Sequence, residues 1–260
     1  MTTTAHPYKV TPARVLRSEW HKLTTLRSTW IGLSLTVVLT LGTGLLIAAS
    51  YEGGGGDDDI DTVLMVLLGM QFTYVVLGTL GVLTTAGEHS SGQIRATMTA
   101  VPGRLPVLWS KAAVLAGVGF LTVLAANFVT FPLAQVFLAD TAHAASLTDP
   151  GVARALVTNA AGLALLGVLA LALGSMLRSV PAGIGALIGL TMILPELLPL
   201  IPYDVVDDAA RHFPSRAVEA LTHATPLPGM PSPGTAFLSM ALWTAGSLAL
   251  AALLLRRRDV

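Results

Sequence analysis

Six apolar stretches, at 30–50, 62–85, 112–139, 155–177, 180–202 and 235–255, alternate with polar segments along the 260-residue chain. Crossing a hydrocarbon core takes about 20 residues of α-helix. Each stretch meets that length, so six transmembrane helices are expected. The third is long enough to tilt or to extend beyond the bilayer, and Pro132 is placed to kink it. Ahead of the first stretch, Thr11-Pro12 reads as a helix start, with Thr as N-cap and Pro in the first turn. From there Leu16, Trp20, Leu23, Leu26 and Trp30 fall on one face, with Arg14, Arg17 and Lys22 mostly away from it. That pattern predicts an amphipathic helix lying at the membrane surface. Glu19 and Arg27 interrupt the stripe, and a soluble basic tail is the plainer alternative. The chain thus divides into a tail and surface helix at 1–29, a six-span domain at 30–255 and a short C-terminus at 256–260.

Composition agrees with this class. The chain is 53% hydrophobic and 12% charged, with mean hydropathy +0.71, whereas soluble domains are about 25% charged. The net charge of zero hides a sorting by side. Lys9, Arg14, Arg17, Lys22, Arg27, Arg95, Arg104, Lys111, Arg178, Arg256, Arg257 and Arg258 fall on one side of the predicted spans. Only Arg154, Arg211 and Arg216 fall on the other. The loop at 52–61 holds Glu52, Asp57, Asp58, Asp59 and Asp61 and no basic residue. Lys and Arg flanking a span stay cytoplasmic, so both termini and the 87–111 loop are expected in the cytoplasm. Trp20, Trp30, Tyr51, Trp109 and Tyr203 sit near predicted interfaces, where amphipathic rings belong. No apolar core of a cleavable signal peptide is seen in residues 1–29.

Candidate chemistry is sparse. Cysteine is absent, which excludes disulfides and thiolate metal sites. Gly53 to Gly56 lack the following Gly-Lys-Ser/Thr of a phosphate loop and read as a linker. Asp57, Asp59 and Asp61 imitate the start of a Ca²⁺ loop. Thr62 and Leu68 stand where that loop needs Gly and Glu. The six histidines show no metal-ligand spacing, and no hydrolase motif is present. The chain is therefore not expected to be an enzyme by itself, nor to bind a metal or cofactor.

Glu196, between Pro195 and Pro199, is the one acid inside a span and a candidate for the translocation path. Asn127 is a second candidate for that path. With Gln71, Gln135 and Asn159 it is also read as an interhelical hydrogen-bonding group. Ala182, Gly185 and Gly189 form a small-residue face suited to close helix packing, within the chain or against a second one. In the loop after the second span, Gly92 breaks the descending helix and Pro102-Gly103 stops a short one over Gln93 to Ala100. On it Ile94 and Met98 lie one turn apart, fit to enter a cleft on a cytosolic partner. Glu88 is placed to pair with Arg95 or Arg104.

That loop resembles the type-2 ATP-binding cassette transporter permeases, in which an acid, a Gly, a short helix, Pro, Arg and a Lys at the next span follow in order. Here these are Glu88, Gly92, Pro102, Arg104 and Lys111. Ser18 to Leu23 with Arg27 to Trp30 looks like the pre-span segment of actinobacterial members, and Arg211 to Ser215 like the stretch before their last span. The resemblance covers nearly the whole chain. It implies an elbow helix, six spans and a coupling helix whose Glu88, Gly92, Ile94, Arg95, Met98 and Arg104 meet a separate ATPase. ATP and Mg would be bound on that ATPase. A second permease copy or paralogue and the plasma membrane complete the implied assembly, with no nucleic acid. The expected function is the permease subunit of an exporter. A secondary transporter or channel working without ATP, and a non-transporting immunity or scaffold protein, are the alternatives.

Overall fold

The computed structural model describes residues 11–52, 60–101 and 103–257. Gly53 to Asp59, Pro102, Lys9, His6 and Arg258 lie outside them. The described chain is all helix, with six helices long and apolar enough to cross a membrane. It is an all-α polytopic membrane protein.

Helix α1 (Pro12–Thr25) is capped by Thr11, whose hydroxyl accepts from the Arg14 amide at 3.4 Å. Its buried line is Val15, Glu19 and Leu23, spaced i, i+4, i+8. Leu16, Trp20 and Leu26 are half-exposed. Leu16 and Trp20 thus point away from the bundle, as a stripe lying at the membrane surface requires, while Glu19, and Leu23 of the stripe, point inward. Leu26, in extended conformation, ends α1, and α2 (Arg27–Glu52) begins at once. Trp30 Nε1 donates back to the Thr24 carbonyl at 2.8 Å across that joint.

The second stretch is two helices. Asp61 caps α3 (Thr62–Val66) by accepting from the Val63 and Leu64 amides, and α4 (Met70–Ser90) follows a turn. The turn ends at Gly69, which lies against α2 so closely that a Cβ would overlap the Thr43 hydroxyl. Gly92, in the left-handed region with φ 73°, separates α4 from α5 (Gln93–Ala100), as a Gly just past a helix end does. Helix α6 (Leu105–Leu138) runs 34 residues through Pro132 and begins seven residues before the expected span. At 1.5 Å per residue it is about 51 Å long, well beyond a hydrocarbon core.

Helix α7 (Val152–Leu177) is the hub, most buried of the six and packed against α4, α6 and α12 (Pro233–Arg257). Small residues make this approach close. A Cβ at Gly81 would overlap the Gly167 carbonyl, and one at Gly174 would lie 2.8 Å from the Val82 carbonyl. Thr85 donates across the seam to the Leu171 carbonyl at 2.9 Å.

The fifth stretch is interrupted. Helix α8 (Val180–Ile188) widens into a π-turn at Gly189–Ile193, followed by α9 (Leu194–Leu197) and a 3₁₀ turn at Leu198–Leu200. Pro195 and Pro199 have no amide hydrogen for the carbonyls four residues back, which accounts for the loss of regular helix. Two short helices, α10 (Asp204–Ala210) and α11 (Pro214–Thr222), precede α12. The bundle thus has a basic end, with α1, α5 and the close of α12, and an acidic end, with α3, α10 and α11.

The small face at Ala182, Gly185 and Gly189 does not make the expected close contact within the chain. Ala182 and Gly185 are exposed, and a Cβ at Gly185 or Gly189 would meet nothing within 4 Å. Helix α8 buries Gly183 and Leu187 instead, the former against Val82 and the latter against Gly78. Positions 185 and 189 are two residues from Leu187, which at 100° per residue puts them on the opposite side of the helix.

Candidate functional site

Four charged side chains meet inside the basic end. Glu19 of α1 accepts from Lys22 at 2.8 Å and from Lys111 of α6 at 2.7 Å. Glu88 of α4 accepts from Lys111 at 2.7 Å and from Lys22 at 3.1 Å. Lys22 also donates to the Thr97 hydroxyl of α5 at 3.2 Å. Glu19, Glu88 and Lys111 are all more than nine-tenths buried. One neutral cluster therefore ties α1, α4, α5 and α6 together.

Each element brings its charge here for a local reason. Glu88 sits in the last turn of α4, where the helix dipole disfavours an acid, and the two ammonium groups offset that. Lys111 is available because α6 starts at Leu105, which places it in the second turn. Burial alone would lower the pKa of Lys22. Its hydrogen bond to Glu19 and the charge of Glu88 outweigh that and hold the ammonium above the ordinary 10.5.

Helix α5 rests on this cluster. Ile94 is buried and Met98 packs against the core, near Val107 and Leu108 of α6, Ser175 of α7 and Leu255 of α12. These two residues key the helix into its own chain and do not present themselves to a partner, contrary to expectation. The outward face is Gln93, Arg95, Ala96, Thr99 and Ala100. Glu88 pairs with the two lysines, not with Arg95 or Arg104. Arg104, with φ 52°, donates to the Leu255 carbonyl at 3.3 Å and so holds the last turn of α12, where a cation suits the helix dipole.

At the acidic end, Glu196 is exposed and pairs with Arg216 at 2.8 Å; Arg216 also pairs with Glu219 at 3.1 Å. Crevices of about 340 Å³ and 300 Å³ flank Arg216. The first lies between the α3–α4 interruption and the π-turn of the fifth span. Asn127 lines neither. It is buried and donates to Asn159 Oδ1 at 2.9 Å and to the Leu156 carbonyl at 3.0 Å. Asn159 donates on to Thr222 at 2.8 Å, so Asn127 is an interhelical bonding group. Asp61 does more than cap: it also accepts from the Ala224 and Thr225 amides at 2.9 and 3.1 Å. Among the described residues no group of three or more His, Asp or Glu is placed to hold a metal ion.

Glu19, Lys22 and Arg216 were not singled out as site residues by sequence reasoning. Glu19 did leave a signal, as the acid that interrupts the stripe of α1. No protein-family model matches the chain, and no curated protein matches its sequence.

Proposed function

We propose that this chain is the permease subunit of an ATP-binding cassette exporter, embedded in the plasma membrane with its basic end in the cytoplasm. A separate ATPase, which binds ATP and Mg, docks on α5. A second copy or paralogue of this chain completes the translocation path. One observation carries the reading: α5 is a short surface helix, keyed by Ile94 and Met98 and tied through Thr97 to the Glu19–Lys22–Glu88–Lys111 cluster. A push on its outward face reaches α1, α4 and α6 together, because a packed, charge-locked junction moves as a unit. The basic-side charge bias supports the orientation.

The test uses the outward face. Arg95→Glu combined with Thr99→Glu leaves Ile94, Met98 and the charge cluster in place. With a candidate partner ATPase co-expressed, co-purification is expected to fall at least about tenfold and nucleotide-dependent transport to be lost, as for repulsive charges at an interface. Unchanged association and unchanged transport would overturn the docking role.

A second reading has its own observation. The second and fifth spans are both interrupted beside the Glu196–Arg216–Glu219 group, and broken helices around a charged crevice suit an ATP-independent transporter. Substrate flux in ATP-free vesicles, abolished by Arg216→Ala, would favour it.

A further inference from the structure

Helix α1 has a single acid, and that acid is hidden. Glu19 is the only Asp or Glu among residues 1–29, and it is buried on the bundle side against Lys22 and Lys111. The outer surface of the helix therefore shows cations without carboxylates. Arg14 and Arg17 are exposed there, and Arg27 is exposed at the first position of α2. Among the described residues no carboxylate pairs with Arg17 or Arg27.

The helix is zoned around its axis. At about 100° per residue, Leu16 and Trp20 stand about 60–100° to one side of Glu19, while Arg17, His21 and Arg14 stand about 160–220° round, opposite the bundle. Exposed apolar surface resumes just past the joint, with Trp30, Ile31, Leu35 and Val38 along the first span. Tryptophan rings belong at the membrane–water interface, so Trp20 and Trp30 set the depth. With its apolar flank toward lipid and the bundle on the next side, α1 turns its basic side outward in the membrane plane, among the head groups. An acidic protein would meet the arginines and leave Leu16 and Trp20 uncovered. A phospholipid surface covers both.

We propose that this outward side of α1, with Arg27 at the joint, is a docking surface for anionic phospholipids of the leaflet in which α1 lies: their phosphates sit against Arg17 and Arg27, and their chains against Leu16, Trp20 and Trp30. A zwitterionic lipid brings a cation to the same arginines and is held less. No ATPase is needed for this binding, so it stands apart from the transport reading.

Native mass spectrometry of the full chain in detergent tests it, with phosphatidylglycerol and phosphatidylcholine added at equal concentration. The anionic lipid is expected to be retained at least about tenfold more strongly, and Arg17→Gln with Arg27→Gln to lower its retention about twentyfold, since an arginine at an anionic lipid surface is worth about fivefold. Arg17→Lys with Arg27→Lys keeps both charges and is expected to keep the lipid. Arg256→Gln with Arg257→Gln removes as much charge from the exposed end of α12 and is expected to leave retention unchanged. Equal retention of the two lipids by the wild-type chain would overturn the proposal and leave this side to an acidic protein. Equal losses in the two glutamine variants would overturn it in favour of attraction to net charge. Loss in the lysine variant as well would overturn charge as the cause. Displacement of phosphatidylglycerol by an equal concentration of free glycerol phosphate would overturn the lipid as occupant.

Discussion

Removing the carboxylate of Glu88 leaves two ammonium groups sharing the single carboxylate of Glu19 in a largely buried site. Breaking a buried pair costs about 3–5 kcal/mol, whereas replacing the partners together by apolar residues of similar volume is close to neutral. Glu88→Gln is therefore expected to lower the thermal midpoint in detergent sharply. Glu88→Leu with Lys111→Met recovers a large part of the loss, and a double-mutant cycle read by fluorescence-detected size exclusion measures the coupling. Lys22 gives the pH dependence. Its pKa is raised on folding, so its contribution is fully present below the ordinary 10.5 and is lost as pH rises through the higher folded value. The attachment of α1 is expected to be flat with pH through the neutral range and to loosen only above 10.5, read from Trp20 emission. Local pattern did not disclose this site. Glu19 stood out as an interruption of an apolar stripe, but its partner Lys111 lies 92 positions away, and no periodicity reports such a distance. Likewise Ile94 and Met98 were legible as one face of a helix, but spacing does not say whether a face turns inward or outward.

At the scale of elements, the bounds of α5 were readable because Gly92 and Pro102-Gly103 punctuate the chain on both sides. Gly92 holds φ 73°, so Gly92→Ala is expected to cost about 1–2 kcal/mol through left-handed strain alone. The interruption of the second span was not read as a break, since hydropathy is blind to a Gly forced against a neighbouring helix; that of the fifth was signalled by its helix-breaking prolines, Pro195 and Pro199. The small-residue face was legible as a pattern and misplaced by two positions. Gly183 touches Val82, while Gly185 faces open space. Gly183→Leu should cost about 1–3 kcal/mol by overpacking, and Gly185→Leu should stay within about 0.5 kcal/mol. Paired melts of the two variants check this directly. Equal losses would mean that the face at Gly185 is covered by a second copy.

For the whole molecule, six spans and the split of basic residues were visible in sequence because bilayer thickness and loop charge are one-dimensional signals. The hub role of α7 was not, since every span is apolar and only packing ranks them. Orientation is open to a direct check in a chain free of cysteine. Thr148→Cys at the acidic end should react with an impermeant maleimide in intact cells, and Ser91→Cys at the basic end should not. The reverse labelling would invert the molecule and remove α5 from the cytoplasm.

The junction beneath α5 contains two carboxylates and two ammonium groups, so it carries no net charge. Moving one elementary charge across a membrane potential of 100 mV takes about 2.3 kcal/mol. A neutral group displaced as a unit does no such work. Whatever motion passes through this junction is thereby insulated from the electrical state of the cell, and its rate should not change when the membrane is depolarised. Neutralising one acid alone would leave one elementary charge on that element, and its motion would then couple to the potential to the extent that the charge crosses the field.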